Sequence, residues 1–574
     1  MAILQPLVDL AAICYRQGIR HVVISPGSRS AALTLAFARH PGFQIQVCMD
    51  ERSAGFIAMG VAQQTGVPAV LICTSGSAAY NFAPAVSEAF FQQIPLLILT
   101  ADRPKEWLHQ YDGQTIHQFE IYGKHVKRSF ELAADYWHSD VLWAINRITN
   151  EAVNLTSMIP MGPVHINVPI REPFYPSASD LFVPSQDVRI IRREQADASL
   201  PVETWHQLIN EWEDSPKILI AGGQGKACAT LSEVLSLISE EWDIPVLGDC
   251  ISNLAGNARF IKHHDLFLGN VDTENLAPDL LVTFGLSFLS KEFKQFIRKH
   301  KPVKHWHITQ DEIMTDPMQS VTRIIPVSAL YFFKNIFEKI DYQLFVQNSD
   351  PESDSSYFGE WIKNELDTKQ KAQIYLQNLT SLNDLTVLNY VFKFVKPVYQ
   401  LHIANSMPIR YANVLAEKFE NSEVYCNRGT SGIDGCVSTA IGAAMVNGKP
   451  TILISGDVAF LYDRNGLLIP DLPDNLKIVV INNAGGNIFR MIDGPAALPE
   501  TEQYFETRHS FSARRTCKDS GIAYFVVNEI DALETTIHSF LEVEGISLLE
   551  ILTDAYENEK VWKNLKQTCR EVNR

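Results

Sequence analysis

The sequence predicts an α/β protein built from three doubly wound domains with mainly parallel sheets. Three observations carry that expectation. Apolar strand-like runs alternate with helical patterns along the chain, the rhythm of helices laid over parallel sheets. The length of 574 residues is too great for one core and suits about three domains of roughly 150–200 residues each. Two polar stretches bearing proline and serine interrupt the rhythm, one from Phe174 to Val202 and one holding Gln347-Asn-Ser-Asp-Pro-Glu-Ser-Asp-Ser-Ser356. The expected domains are therefore 1–180, 190–345 and 355–574.

In the first block, strand-like runs end near Ser25, Asp50, Ser75 and Thr100, and a small-residue helix, Ser53-Ala-Gly-Phe-Ile-Ala-Met-Gly60, follows Asp50. In the third, they end near Asn405, Asn427, Ser455 and Asn482, and Ser431-Gly-Ile-Asp-Gly-Cys-Val-Ser-Thr-Ala-Ile-Gly442 follows Asn427. Each step has the length of one βα unit, so the outer blocks read as two related domains. The middle block offers Lys217-Ile-Leu-Ile-Ala-Gly-Gly-Gln-Gly225 before a helical segment. That run does not complete GxGxxG, and Ala227 after Gly225-Lys226 breaks the P-loop pattern, so a tight strand-to-helix turn is expected. His263-His264-Asp265 has metal-binding residue types but reads as a solvated loop.

Hydrophobic residues make up 46% and charged residues 20% of the chain, as in a folded protein. A net charge of −17 disfavours nucleic acid and anionic membrane as partners. It also obliges any anionic substrate to find a local basic pocket. No apolar run reaches the ~18 residues of a spanning helix, and Met1-Ala-Ile-Leu-Gln-Pro6 carries no basic-then-apolar leader pattern. Nine dispersed cysteines without CxxC spacing fit reduced thiols better than a disulfide frame or a zinc site. A cytoplasmic location without membrane insertion is expected.

Ligands of open α/β sheets gather beyond the carboxyl ends of strands. The polar clusters lie at such ends: Ser25-Pro-Gly-Ser-Arg29, Asp50-Glu51-Arg52, Thr74-Ser-Gly-Ser77, Ala101-Asp-Arg103, Asn405-Ser406, Asn427-Arg428 and Gly456-Asp457. This coincidence points to an enzyme. Two runs, Thr451-Ile-Leu-Ile-Ser-Gly-Asp457 and Lys477-Ile-Val-Val-Ile-Asn-Asn483-Ala-Gly485-Gly486, end in hard oxygen donors. Magnesium takes oxygen ligands in an octahedron, usually a few from protein and the rest from phosphate and water. Asp457, Asn483 and a backbone carbonyl would fill three corners and a diphosphate two more. The alternatives are a helix cap at Asp457 and a turn at Asn482-Asn483.

These residues resemble the thiamine diphosphate-dependent enzymes, whose metal motif opens with Gly-Asp and closes in an Asn pair, here Gly456-Asp457 and Asn482-Asn483. Val458 stands where that motif usually has glycine. Ser25-Pro-Gly-Ser-Arg-Ser30, Asp50-Glu-Arg-Ser-Ala-Gly-Phe56, Thr100-Ala-Asp-Arg-Pro104, Asn427-Arg-Gly-Thr-Ser-Gly-Ile-Asp-Gly435 and Asn483-Ala-Gly-Gly-Asn-Ile-Phe489 are similar to one branch, the 2-succinyl-5-enolpyruvyl-6-hydroxy-3-cyclohexene-1-carboxylate synthases. In that branch a leucine or similar residue commonly follows Gly-Asp, which accommodates Val458. The resemblance implies a thiamine diphosphate-binding fold with a pyrimidine-binding domain, a middle domain and a diphosphate-binding domain. It implies thiamine diphosphate with Mg2+ (or Mn2+) as cofactors. It also implies a transferase that decarboxylates 2-oxoglutarate and adds the succinyl carbanion equivalent 1,4 to isochorismate, in menaquinone biosynthesis.

The same resemblance assigns roles. Glu51 would hydrogen-bond the coenzyme's pyrimidine and promote its activation; an ion pair with Arg52 or a helix N-terminal charge is the alternative. Asp457, Asn483 and the Gly485 carbonyl would hold the metal, and Ile433 would bend the coenzyme. Ser406, Arg410 and Arg428 would take the carboxylates of 2-oxoglutarate, since arginine forks suit carboxylates. Ser28, Arg29, Arg103, Gln114 and Lys291 would take isochorismate. For each arginine the alternative is a surface ion pair. The catalytic set is Glu51, Arg29, Ile433, Ile488 and Phe489, the last two as an apolar wall or simple core packing. His109, His117 and His402 are proton-shuttle candidates by their nearness to the motifs. Active sites shared across a homodimer or homotetramer are implied. Competing readings are an acetohydroxyacid synthase or 2-oxoacid decarboxylase on the same scaffold, or a catalytically silent regulatory subunit.

Overall fold

Segments such as Ala69–Cys73 and Leu96–Asp102 are buried at every position, as interior parallel strands covered on both faces must be. The computed structural model describes residues 5–176, 182–254, 257–269, 273–340, 356–419, 421–492 and 494–571. Among these residues the strands form three sheets. The first holds β1 (His21–Ile24), β2 (Gln44–Val47), β3 (Ala69–Cys73), β4 (Leu96–Asp102), β5 (Ser129–Glu131) and β6 (Val164–Pro169), in the order β2-β1-β3-β4-β6-β5. The second holds β7 (Ile218–Gly222), β8 (Val246–Gly248), β9 (Leu280–Phe284), β10 (Lys304–Ile308) and β11 (Arg323–Ile325), in the order β11-β10-β9-β7-β8. The third holds β12 (Gln400–Ile403), β13 (Glu423–Tyr425), β14 (Thr451–Gly456), β15 (Leu476–Asn482), β16 (Ala523–Val527) and β17 (Ser547–Leu552), in the order β13-β12-β14-β15-β17-β16. The strand pairs run parallel, as the α/β reading expects. First and third sheets share one strand order, so the same chain path is drawn twice.

The two outer sheets meet through their small-residue helices. Asp50 caps the helix Glu51–Thr65 by accepting the backbone N–H groups of Arg52 and Ser53. This helix and Cys436–Asn447 pack into one apolar core with Phe56, Val437 and Ile441. Their backbones nearly touch: a Cβ at Gly442 would lie 2.0 Å from the Ile57 carbonyl oxygen. Only glycine allows that approach.

The described part of the first polar stretch holds no strand or helix until Val202–Glu213 begins. Residues 347–355 of the second lie outside the described residues. Ser356 then caps the helix Tyr357–Gln377 by accepting the Gly359 N–H at 3.0 Å. His263-His264-Asp265 corrects an expectation, for both histidines are buried rather than solvated. His263 meets Glu365 on that helix at 2.7 Å, and His264 meets Asp249 at 3.3 Å. The docked helix supplies the cover that local polarity does not reveal. Among the described residues no cluster of three or more His, Cys, Asp or Glu is arranged to hold a metal, and no helix is long and apolar enough to cross a membrane.

Candidate active site

The parallel register of β14 and β15 pairs Gly456 with Ile481, which sets Asp457 and Asn483 side by side at the carboxyl end of the third sheet. Asp457 opens the helix Asp457–Asp463. Its Oδ1 accepts the Val458 N–H at 2.7 Å and its Oδ2 the Gly485 N–H at 2.9 Å. Asn483 donates through Nδ2 to Asp384 at 3.1 Å. Asp384 is itself fixed by Thr553 Oγ1 at 2.6 Å and Asn558 Nδ2 at 2.7 Å. Burial pushes Asp384 up to about 6, with those donors pulling the other way. Held by its nitrogen, Asn483 is left with a buried Oδ1 that has no partner. Buried polar atoms are rarely orphaned without a ligand or water to satisfy them. The Gly485 carbonyl accepts the Asn487 N–H at 3.0 Å and keeps a second lone pair. This donor set fits a hard divalent cation. Helix opening and metal donation are compatible roles for Asp457. His509 Nε2 lies 3.2 Å from Asp457 Oδ2, and that interaction raises the imidazole pKa against the opposing effect of burial. Nothing local in the sequence singles out His509 or Asp384.

Glu51 is the first residue of its helix and accepts the Asn81 Nδ2–H at 3.0 Å. The alternative ion pair with Arg52 is not formed: Arg52 turns to the Tyr462 carbonyl at 2.5 Å and stacks over its ring. Glu51 faces a cavity of about 560 Å³ whose walls include Asn81, Asn465 and Leu468. Asp457 and Asn483 are not among those walls.

On the third sheet, Ser406 has φ 77° and ψ −131°, a strained conformation of the kind that collects at functional sites. It precedes the helix Met407–Val414, which carries Arg410. Arg410 donates to the Ser406 carbonyl. Asn405 donates to the carbonyls of Asn427 at 2.5 Å and Gly432 at 2.6 Å, and its Oδ1 accepts Arg428 Nη1 at 3.1 Å. Arg428 Nε is buried without a partner. Burial, and after it the Arg428 charge, lowers the pKa of both Arg410 and Lys294. Three cations thus converge here. Lys294 was not anticipated. It lies one turn beyond Lys291 on the helix Lys291–Lys299, and that spacing is the only sequence signal. Lys291 itself is exposed. Ile433 is half-buried beside Ala404, Cys436 and Ala459. Ile488 packs on the third sheet's core, and Phe489 meets Phe505 with ring centroids 5.6 Å apart.

The first-sheet candidates string along one edge. Arg29 donates its backbone N–H to Thr74 Oγ1 at 3.2 Å. Its buried guanidinium holds the Ile170 carbonyl and Glu172, each at 3.1 Å, and lies over Phe174. Ser28 Oγ is 2.7 Å from Tyr175 Oη. Arg103 donates to the Gly113 carbonyl at 3.0 Å and pairs with Asp112 at 2.8 Å. Gln114, at φ 57°, packs its backbone against Gly76. Both arginines therefore carry a carboxylate of this chain. Among the histidines, His402 is removed from the shuttle candidates. It is buried in β12, stacked on Tyr425, and held neutral by burial at a pKa of about 3. His109 and His117 face each other at 3.4 Å on the surface.

Comparison with known proteins supplies the family. Residues 8–121 match the family model described as "Thiamine pyrophosphate enzyme, N-terminal TPP binding domain", and residues 191–379 match "Middle domain of thiamine pyrophosphate". Three relatives share the name 2-succinyl-5-enolpyruvyl-6-hydroxy-3-cyclohexene-1-carboxylate synthase. The protein from Cytophaga hutchinsonii is 42% identical over 99% of this chain and 99% of its own. The one from Flavobacterium johnsoniae is 36% identical over 100% and 99%, and the one from Porphyromonas gingivalis 35% identical over 96% and 94%. On identity of that level over nearly the full length, the chain belongs to the 2-succinyl-5-enolpyruvyl-6-hydroxy-3-cyclohexene-1-carboxylate synthase family of thiamine diphosphate-dependent enzymes.

Proposed function

We propose that this chain decarboxylates 2-oxoglutarate and transfers the remaining succinyl unit by 1,4-addition to isochorismate, forming 2-succinyl-5-enolpyruvyl-6-hydroxy-3-cyclohexene-1-carboxylate for menaquinone biosynthesis. Beside the family relationship, one observation carries the substrate choice. Arg428 offers a buried, unpartnered Nε next to Arg410 and Lys294, a socket for a dicarboxylate in a chain whose net charge of −17 repels anions elsewhere.

Asp457 Oδ2, Asn483 Oδ1 and the Gly485 carbonyl would hold Mg2+ or Mn2+, and through it the diphosphate. The coenzyme, when bound, supplies the nucleophilic carbon and the electron sink that decarboxylation requires. Glu51, oriented by its hydrogen bond from Asn81, would be the carboxylate that holds the pyrimidine end and exchanges a proton with it. Ser406, Arg410 and Arg428 orient the 2-oxo diacid. Ser28, Arg29, Arg103, Gln114 and Lys291 would receive isochorismate, whose carboxylates would share the two arginines with Glu172 and Asp112. Ile433, Ile488 and Phe489 exclude water from the reacting carbon. As the family resemblance implies, Glu51 of one subunit would serve the metal-binding residues of another, in a homodimer or homotetramer. Residues 1–180, 190–345 and 355–574 act as pyrimidine, middle and diphosphate domains. The unpaired state of all nine cysteines supports a cytoplasmic setting.

The test is an assay of the purified protein with thiamine diphosphate and Mg2+. Isochorismate should be consumed only when 2-oxoglutarate is present, with stoichiometric carbon dioxide. Preference for pyruvate would refute the assignment. Glu51→Gln should lower turnover by about 10²–10⁴-fold while coenzyme binding, followed by fluorescence quenching, persists.

A further inference from the structure

Glu88 lies on the helix Ala83–Phe91 of the first sheet's unit, outside every motif that carries the family resemblance. Its side chain is 1% exposed. Oε1 accepts the Gly429 N–H at 2.6 Å and Gln92 Nε2–H at 2.6 Å. Oε2 accepts the Thr430 N–H at 2.7 Å and the Thr430 hydroxyl at 2.5 Å. All four partners donate. The two backbone donors belong to the residues that follow Arg428. The approach depends on Gly429, where a Cβ would lie 2.7 Å from the Glu88 carbonyl oxygen.

Behind this clamp runs a chain of buried amides. Gln92 Oε1 accepts from Gln63 at 3.3 Å and from Gln224 at 3.0 Å. Gln224 also donates to the Cys426 carbonyl at 3.1 Å. Ser287 Oγ lies 3.2 Å from Gln224 Oε1 and 3.3 Å from the Arg428 carbonyl. The backbone is therefore tied on both sides of Arg428 by side chains from the first and second sheets' units. A buried carboxylate is costly unless donors are aimed at it, and each oxygen of this one takes one backbone N–H of the 429–430 segment.

We propose that Glu88 is a positioning residue for substrate: it fixes the backbone after Arg428 so that the guanidinium is aimed before the 2-oxo diacid arrives. Preorganisation of this kind acts on affinity and orientation without contact with the reacting atoms. The inference rests on the reading that Arg428 grips the carboxylate of 2-oxoglutarate.

Three variants, E88Q, E88D and R428K, test it by separate KM values for the two substrates. Glu88→Gln keeps the volume but turns an amide N–H toward donors. It should raise the KM for 2-oxoglutarate about 10-fold, the scale of a lost charge-assisted hydrogen bond, and leave the KM for isochorismate unchanged. Glu88→Asp should recover part of the loss. In the E88Q/R428K pair the effects should fall short of multiplying, since they act on one contact. An unchanged 2-oxoglutarate KM in E88Q, or an equal rise for both substrates, overturns the proposal while R428K's own defect keeps the Arg428 reading intact. If R428K leaves that KM unchanged, the Arg428 reading fails and the proposal falls with it. Should E88Q not fold, Thr430→Ala removes one donor at an exposed position. It should raise the same KM about 3-fold, and no change there also overturns the proposal.

Discussion

Asn483 could serve a cation only through its amide oxygen, and Asp384 decides which way the amide faces by taking the Nδ2–H at 3.1 Å. Removing an outer partner of a metal ligand usually weakens metal binding by about 10–100-fold. Asp384→Ala is therefore expected to lower the affinity for Mg2+ with thiamine diphosphate by that order in calorimetric titration, whatever its effect on turnover. Unchanged affinity would leave Asp384 a packing residue. Arg428 illustrates the reverse case at the same scale. Its Nη1 is held by Asn405 while its buried Nε has no partner.

Between the outer sheets, two helices approach so closely that one methyl matters. Gly442→Ala would force the added carbon against the Ile57 carbonyl, and such overpacking typically costs about 1–3 kcal/mol. Denaturant unfolding should show that loss, and a neutral substitution would mean that the crossing opens freely. A second element-level contact is sensitive to pH. Glu365 on the helix Tyr357–Gln377 takes the His263 backbone N–H at 2.9 Å and its ring at 2.7 Å. Burial lowers the imidazole pKa, but the Glu365 charge and hydrogen bond prevail and hold it above 6.5. Burial likewise raises the Glu365 pKa, and His263 holds it below 4.5. The raised imidazole contributes fully below pH 6.5 and fades as pH climbs through its folded value. The lowered carboxylate contributes above pH 4.5 and fades as pH falls through its own. The pair thus supports the fold most between pH 4.5 and 6.5. Breaking a buried pair from one side costs about 3–5 kcal/mol, so Glu365→Gln should lower Tm most inside that window, with the gap closing as the solution turns alkaline. A gap of constant size would contradict the assignment.

These contacts also show where sequence reading stops. Strand ends were legible because apolar runs stop at Ser25, Asp50, Asn405, Asn427 and Asp457, and polar residues with small neighbours follow each. Glu88, Asp384 and Lys294 were not legible. Each is a polar residue on a helix, and the group that gives it meaning lies elsewhere in the chain: Gly429 bonds Glu88, Asn483 bonds Asp384, and the like charge of Arg428 acts on Lys294. His402 misled for the opposite reason. It stands three residues before Asn405, yet a strand alternates its faces, and this ring turns into the interior against Tyr425.

For the assembled molecule, the proposal that Glu51 of one subunit serves Asp457 and Asn483 of another makes a direct prediction. Mixing Glu51→Gln chains with Asp457→Ala chains, each inactive alone, should restore activity once subunits exchange. In a symmetric dimer with shared sites, half the dimers are hybrids and each hybrid has one intact site, so recovery should approach about one quarter of the wild-type value. No recovery after verified exchange would place acid and metal in the same chain.

The cluster of Arg410, Arg428 and Lys294 has one more consequence in a chain of net charge −17. Screening at physiological salt confines electrostatic attraction to about 8 Å, so the small positive well is felt only at its mouth, while the surrounding acidity acts from outside. Rising ionic strength then works in two directions, hastening the arrival of a dianion across the repelling surface and afterwards weakening its hold within.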